Sequence, residues 1–177
     1  LCVKAVDLVN ERLKYLEKLS QTASDIYSGL SGSRETLTLR YMLRLSQSKY
    51  EYISEPVDED RISRLLKNNE NGDILYGTTN IGAHRDDIEI EINGIPAKKF
   101  GSQGQQKSFL VALKLAEYTL LAEHAKERPI LLLDDLFDKL DMRRVAQLLR
   151  LVGGDMFGQI FITDCNKHRL QSTLGDA

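Results

Sequence analysis

The 177-residue sequence has no tryptophan, three histidines, two cysteines and no apolar run long enough to span a bilayer. Each scarcity removes a class of chemistry. Without Trp, and with aromatic residues at only 7%, no platform for stacking nucleobases is legible. Three histidines are too few for a histidine-built metal centre. Cys2 and Cys165 lie far apart without metal-ligand spacing, so they read as small buried hydrophobes in a reducing, cytoplasmic setting. No membrane partner is expected, no signal peptide is recognisable, and a first residue of Leu1 suits a segment of a longer chain. An excess of positive charge is also lacking. With 24 Lys and Arg against 26 Asp and Glu, the net charge is −2, and the chain as a whole offers no electrostatic argument for nucleic acid. The basic clusters Lys98-Lys99, Arg143-Arg144 and Lys167-His168-Arg169 read as solvated faces.

At 42% hydrophobic and 28% charged, the sequence reads as one domain, with or without an appendage. Val3, Val6, Val9, Leu13, Leu16, Ala23 and Tyr27 recur at three- and four-residue steps, which predicts one long helix over residues 1–30. Leu8, Tyr15, Leu19 and Leu30 widen its apolar stripe toward a second neighbour, and Gly29 to Ser33 closes it. Alternation from Thr36 to Tyr41 predicts a strand, extendable to Leu45. A polar stretch follows. From about Pro56 the spacing of Val57, Ile62, Leu65 and Leu66 predicts a helix ending near Asn69–Gly72. Ile88 to Ile92 alternates strictly and runs into Asn93-Gly94, a hairpin signal with Ile95 starting the return strand.

Two devices dominate what remains. The first is Gly101-Ser102-Gln103-Gly104-Gln105-Gln106-Lys107-Ser108, small and amide residues opening a helix expected from about Gln105 to Lys126. Such a start offers unpaired N–H groups, the positive end of a dipole and a hydroxyl, all suited to a phosphate. The second is Ile130-Leu131-Leu132-Leu133-Asp134-Asp135. Four branched aliphatics without polar alternation suit a strand buried on both faces of a largely parallel sheet, and the two aspartates then mark its C-terminal tip, where open α/β sheets bind ligands. Paired carboxylates there suit magnesium held jointly with nucleotide phosphates. Asp134 would hold the metal shell, and Asp135 would orient or deprotonate an attacking water. A short helix from Met142 to Leu151 and a second buried strand, Gln159 to Thr163, complete the pattern.

Two tempting motifs fail on their mechanics. A P-loop needs glycine where Gln106 precedes Lys107-Ser108, and a buried strand where Pro96-Ala97-Lys98-Lys99-Phe100 stands. His84-Arg85-Asp86 shares the letters of a kinase catalytic loop, but none of that fold's other signatures accompanies it. An Arg–Asp pair closing the strand entry is the simpler reading of this segment.

The order of these elements resembles the C-terminal half of an ABC-type ATPase head, as in SMC proteins. More closely it is similar to the RecF family, through Tyr76-Gly77-Thr78-Thr79-Asn80-Ile81-Gly82-Ala83-His84-Arg85-Asp86-Asp87, the Gly101–Ser108 loop, Leu131-Leu132-Leu133-Asp134-Asp135 and Leu140-Asp141. The Walker A loop of that family is absent from these 177 residues. The resemblance implies an α/β fold: residues 1–75 a helical arm segment with a connecting strand and helix, and 76–177 the C-terminal part of the head. It implies ATP and Mg²⁺ as cofactors, with Ser102, Gln103, Gly104 and Gln105 capping the γ-phosphate across a homodimer interface. It places Asp134 and Asp135 beside their own subunit's nucleotide and Asp141 across the interface. Asp164 stands where such heads usually carry a switch histidine, and His84 and Arg85 would help sense nucleotide or position the loop. DNA at single-strand gaps or junctions, and RecR and RecO, are the implied partners, and the chain alone is expected not to bind or hydrolyse ATP. An SMC-like or nuclease-associated head, or a non-enzymatic interaction module with Asp134-Asp135 as a mere acidic strand end, are the alternatives.

Overall fold

The structure, a computed structural model, describes residues 2–134, 140–154 and 156–163. Among the described residues five α-helices and six strands follow in the order α1 (Cys2–Ser31), β1 (Leu37–Arg44), β2 (Tyr50–Ile53), α2 (Glu59–Tyr76), β3 (Asp87–Ile92), β4 (Ile95–Pro96), α3 (Ala97–Phe100), α4 (Gln103–His124), β5 (Leu131–Leu133), α5 (Met142–Val152) and β6 (Ile160–Ile162). One sheet is ordered β2-β1-β3-β4, and the other pairs β5 with β6. The chain divides into two compact units, residues 1–18 with 39–91 and residues 19–38 with 92–177.

In the first unit, the alternation of β1 puts Leu39, Tyr41 and Leu43 in the core, and β2 returns antiparallel along it, Tyr41 facing Ile53 and Arg44 facing Tyr50. The strand β2 was not expected. None of its four residues is buried, so it carries no hydrophobic alternation and is held by backbone pairing after a polar turn. Asn10 on α1 holds the segment leading to α2 at two points, donating to the Val57 carbonyl at 3.0 Å and accepting from the Val57 N–H at 2.9 Å. The helix α2 starts at Asp58, whose side chain accepts from the Arg61 N–H at 2.7 Å. It runs through Gly72 to Tyr76, a turn beyond the expected end. The left-handed residue that stops it is Gly77, at φ 64°, whereas Gly72 sits inside the helix with open space around it and costs only propensity.

Val3, Leu8 and Tyr15 of α1 are exposed, while Val9 and Leu16 are buried. Within this unit the helix therefore buries a narrower stripe than its sequence offers.

The second unit is built around α4. Ala112, Leu115 and Ala116 are fully buried on it, as are Val145 and Leu148 of α5 and Ala23 and Tyr27 of α1. The expected hairpin is present, with Asn93 at φ 52° and Gly94 at φ 75° forming the turn. β5 and β6 are parallel neighbours, Leu131 beside Ile160 and Leu133 beside Ile162. The expectation that β5 is buried on both faces is corrected. Leu131 and Leu133 point inward, but Leu132 is 71% and Ile130 58% exposed, as is half of Phe161 on β6. The pleat sends alternate side chains to opposite faces, and among the described residues only one face of this pair is covered.

Candidate functional site: the α4 start and the strand tip

Three residues set the approach to α4. A helical turn, α3, replaces any strand before the loop, and its Ala97 carbonyl accepts from the Gly101 N–H at 2.9 Å. Gly101 has φ −69° and is not strained, but a Cβ there would lie 2.5 Å from the Ala97 oxygen, so only glycine passes this point. Gln106, the residue that breaks the P-loop pattern, donates through Nε2 to the carbonyls of Gly101 (3.1 Å) and Ala97 (3.3 Å) and latches the turn onto the helix.

Ser102 is the N-cap, so α4 begins two residues before its expected start. Its Oγ accepts from the Gln105 N–H at 3.2 Å, and Gln105 Oε1 accepts from the Ser102 N–H at 2.9 Å, a reciprocal capping box. The box leaves the Ser102 hydroxyl proton free to donate outward. The N–H groups of Gln103 and Gly104, in the first turn, have no partner within the helix. Ser102 and Gln103 are exposed. An anion at this end would meet a hydroxyl, aligned amides and the helix dipole together.

Behind the turn lies a polar cluster that sequence reasoning did not find. Glu35 accepts from Tyr27 Oη (2.6 Å) and from Gln105 Nε2 (2.8 Å), and pairs with Arg144 at 3.2 Å. Arg144 also donates to the Gly104 carbonyl at 3.2 Å and to Ser108 Oγ at 2.6 Å, and Ser108 donates to the same carbonyl at 2.7 Å. Ser108 is 1% exposed. Burial pushes the Glu35 carboxyl up, but hydrogen bonds from Tyr27 and Gln105 with the Arg144 charge outweigh it and hold the group below its ordinary value. Tyr27 shifts upward, first through burial and then through its bond to Glu35. Arg144 is thus not the solvated residue its sequence neighbourhood suggested. Its only local signal is the three-residue step from Asp141, which it meets through its own N–H (2.8 Å) and, in a looser ion pair, through Nε (3.6 Å).

Asp141 caps α5. Asp134 stands exposed at the tip of β5, as expected, and accepts from Thr163 Oγ1 at the end of β6, where the Thr163 N–H also meets the Leu133 carbonyl at 2.9 Å. Asp135 and Asp164 lie outside the described residues. Among the described residues no group of three or more His, Cys, Asp or Glu could hold a metal. A single carboxylate with one oxygen left over suits a magnesium ion only where phosphates and water supply the rest of its shell.

The His84-Arg85-Asp86 segment belongs to the first unit and is built differently from expectation. His84 and Arg85 are exposed and both reach the Thr79 carbonyl, at 3.4 and 3.3 Å, closing a turn that has Gly82 at φ 128°. Asp86 bonds instead to Tyr41 Oη (2.8 Å) and to the Arg44 N–H (2.9 Å). Burial raises its carboxyl above the ordinary value in spite of those bonds, and burial and Asp86 together push Tyr41 up to about 12. Because Asp86 holds its proton more tightly folded than unfolded, stability falls as pH rises from its unfolded value through its folded one. Tyr41→Phe removes a bond that favours the ionised form. It is expected to lower the unfolding free energy by about 1–2 kcal/mol at neutral pH and by less below pH about 4, as read by urea denaturation at the two pH values.

A buried α/β core, a parallel strand pair ending in an aspartate and a long helix with a phosphate-ready start define part of an ABC-type ATPase head. Comparison with solved structures agrees. The recombination mediator protein RecF, with ATP, superposes at a TM-score of 0.73 and 30% identity over 94% of this chain and 43% of its own, and RecF with ATPrS at 0.70. No family model matches. The DNA replication and repair protein RecF of Porphyromonas gingivalis is 40% identical over 170 residues, 96% of this chain, and that of Flavobacterium johnsoniae 39% identical over 167. The chain belongs to the RecF family. It spans 44% of the length of the Porphyromonas relative and 43% of the Flavobacterium one. Among the described residues no helix is long and apolar enough to cross a membrane.

Proposed function

We propose that this chain supplies the signature turn and the magnesium-side carboxylates of a RecF-type ATPase acting in DNA repair and replication-gap recovery. The observation that carries the reading is the Ser102–Gln105 capping box, which holds the exposed Ser102 at the head of α4 beside the first-turn amides of Gln103 and Gly104. In this reading Ser102, Gln103, Gly104 and Gln105 cap the γ-phosphate of ATP held by a second copy, with Asp141 nearby. Asp134 joins the Mg²⁺ shell and Asp135 orients the water. ATP then joins two heads on DNA in the cytoplasm, slow hydrolysis separates them, and RecR- and RecO-type partners use the dimer to load recombinase. The names of the relatives and the ATP-bound RecF structure support it.

The test joins this chain to the Walker A lobe of the Porphyromonas relative and follows mass by light scattering and phosphate release. MgATP is expected to drive dimers, and Asp135→Asn to accumulate them while turnover falls about a hundredfold. A joined protein whose mass ignores ATP would instead favour a non-enzymatic interaction module.

A further inference from the structure

The capping box has a feature that a helix start does not require. A capping glutamine needs only its Oε1, to accept from the N-cap N–H. The box requires no partner for the Nε2 of Gln105, yet that nitrogen donates at 2.8 Å to Glu35, which is itself held by Tyr27 and Arg144. The same Arg144 reaches the Gly104 carbonyl and, through Ser108, holds that carbonyl from a second side. Arg144 therefore touches the turn twice from behind, once through Glu35 and Gln105 and once through Gly104. None of these bonds uses the outward face of Ser102. The side chains of Glu35 and Arg144 are each only 17% exposed, so the pair is not a surface ion pair of negligible weight.

We infer that Glu35 and Arg144 are positioning residues for the 102–105 turn: Glu35 fixes which way the Gln105 amide faces, and Arg144 fixes Glu35 and the Gly104 peptide. An amide free to rotate by half a turn would present NH₂ rather than oxygen to the Ser102 N–H and open the box. The carboxylate forbids that, because it accepts only from the NH₂. Ser102 then keeps one orientation before any phosphate arrives, which is preorganisation in its electrostatic sense. Tyr27, on the last turns of α1, completes the cluster, so the end of that helix and the first turn of α5 meet at the same carboxylate.

The inference rests on the proposed role of the turn in capping ATP, and its test separates the two. In the joined protein, Glu35→Gln and Arg144→Lys are compared with the parent by amide hydrogen exchange without nucleotide. Exchange at the Ser102 and Gln105 N–H groups is expected to accelerate about tenfold while mid-helix amides such as Leu113 and Ala116 are unchanged. The kcat for ATP is expected to fall about tenfold. Affinity for a fluorescent ATP analogue, measured at protein concentrations where heads are apart, changes less than about twofold. Arg144→Lys keeps the charge but not the forked geometry, so it is expected to fail as a replacement. Unchanged exchange at Ser102 and Gln105, or acceleration spread evenly along α4, overturns the positioning role whatever the turnover does. Local acceleration with an unaltered kcat overturns its part in the reaction. A parent protein without ATP-dependent turnover sinks the ATPase reading alone, and exchange still decides the role of the pair. Should Arg144→Lys not fold, Glu35→Gln carries the same comparison.

Discussion

In the joined protein, Ser102→Arg is expected to abolish ATP-dependent dimers while leaving each head folded. Ser102 is exposed and its side chain bonds to the Gln105 N–H of the capping box, while its carbonyl keeps its bond from the Gln106 N–H whatever the side chain, so the folding cost is that of a lost N-cap, about 1 kcal/mol. The functional cost is of a different order. Arginine cannot cap, so the Gln105 N–H loses its acceptor, and its long side chain occupies the space through which a phosphate would approach the amides of Gln103 and Gly104. Loss of one preorganised donor to a transition-state oxygen costs about 10²–10³ in rate, and here the hydroxyl and the access are lost together. Light scattering with MgATP reads the dimer, and thermal melting reads the fold. Ser102→Ala is the graded control, with the cap and hydroxyl lost but the approach left open. Dimers that persist in Ser102→Arg would remove the turn from the interface.

The largest effect on stability is expected from Arg144→Met. Methionine keeps the apolar stem of the side chain but leaves Glu35 partly buried without its cation, and takes a donor from both the Gly104 carbonyl and Ser108 Oγ. Removing one partner of a fully buried pair costs about 3–5 kcal/mol. Glu35 keeps its bonds from Tyr27 and Gln105 and some solvent, so about 2–3 kcal/mol is expected, measured by urea denaturation at pH 7. The pH dependence has a definite sign. The Glu35 carboxyl is held below its ordinary value in the folded chain, so its contribution is present above the unfolded pKa and is lost as pH falls through the folded one. The penalty of Arg144→Met should therefore shrink as the solution is acidified through and below the ordinary carboxylate range. A penalty that stays constant across that range would show that the arginine acts through packing alone.

What the sequence discloses and what it hides divide along the range of the interactions concerned. The long α1, the Asn93-Gly94 hairpin, the strands β5 and β6 and the start of α4 beside Ser102 follow from periodicity or from residues a few positions apart. The strand β2 did not show itself, because an exposed strand held by backbone bonds leaves no apolar alternation. The run Ile130–Leu133 looked buried on both sides because composition cannot say whether anything covers the second face. The cluster behind the turn was hidden for a deeper reason. Glu35 and Arg144 lie 109 positions apart, and Arg144 sits beside Arg143 in what reads as an ordinary basic helix start. Only the fold brings the carboxylate, the guanidinium and the amide to one place. The residues proposed to face a ligand were legible by type, and those that hold the turn were not.

Gly101 shows how a single missing atom can govern this arrangement. Its backbone angles are open to any residue, and what forbids a side chain is the Ala97 oxygen, 2.5 Å from where a methyl group would begin. A substitution there would act as a wedge, prising α3 from the loop and unseating the Gln106 latch, and so tilting Ser102 without touching it. The aim of the whole helix is thus set at a position that carries no functional group.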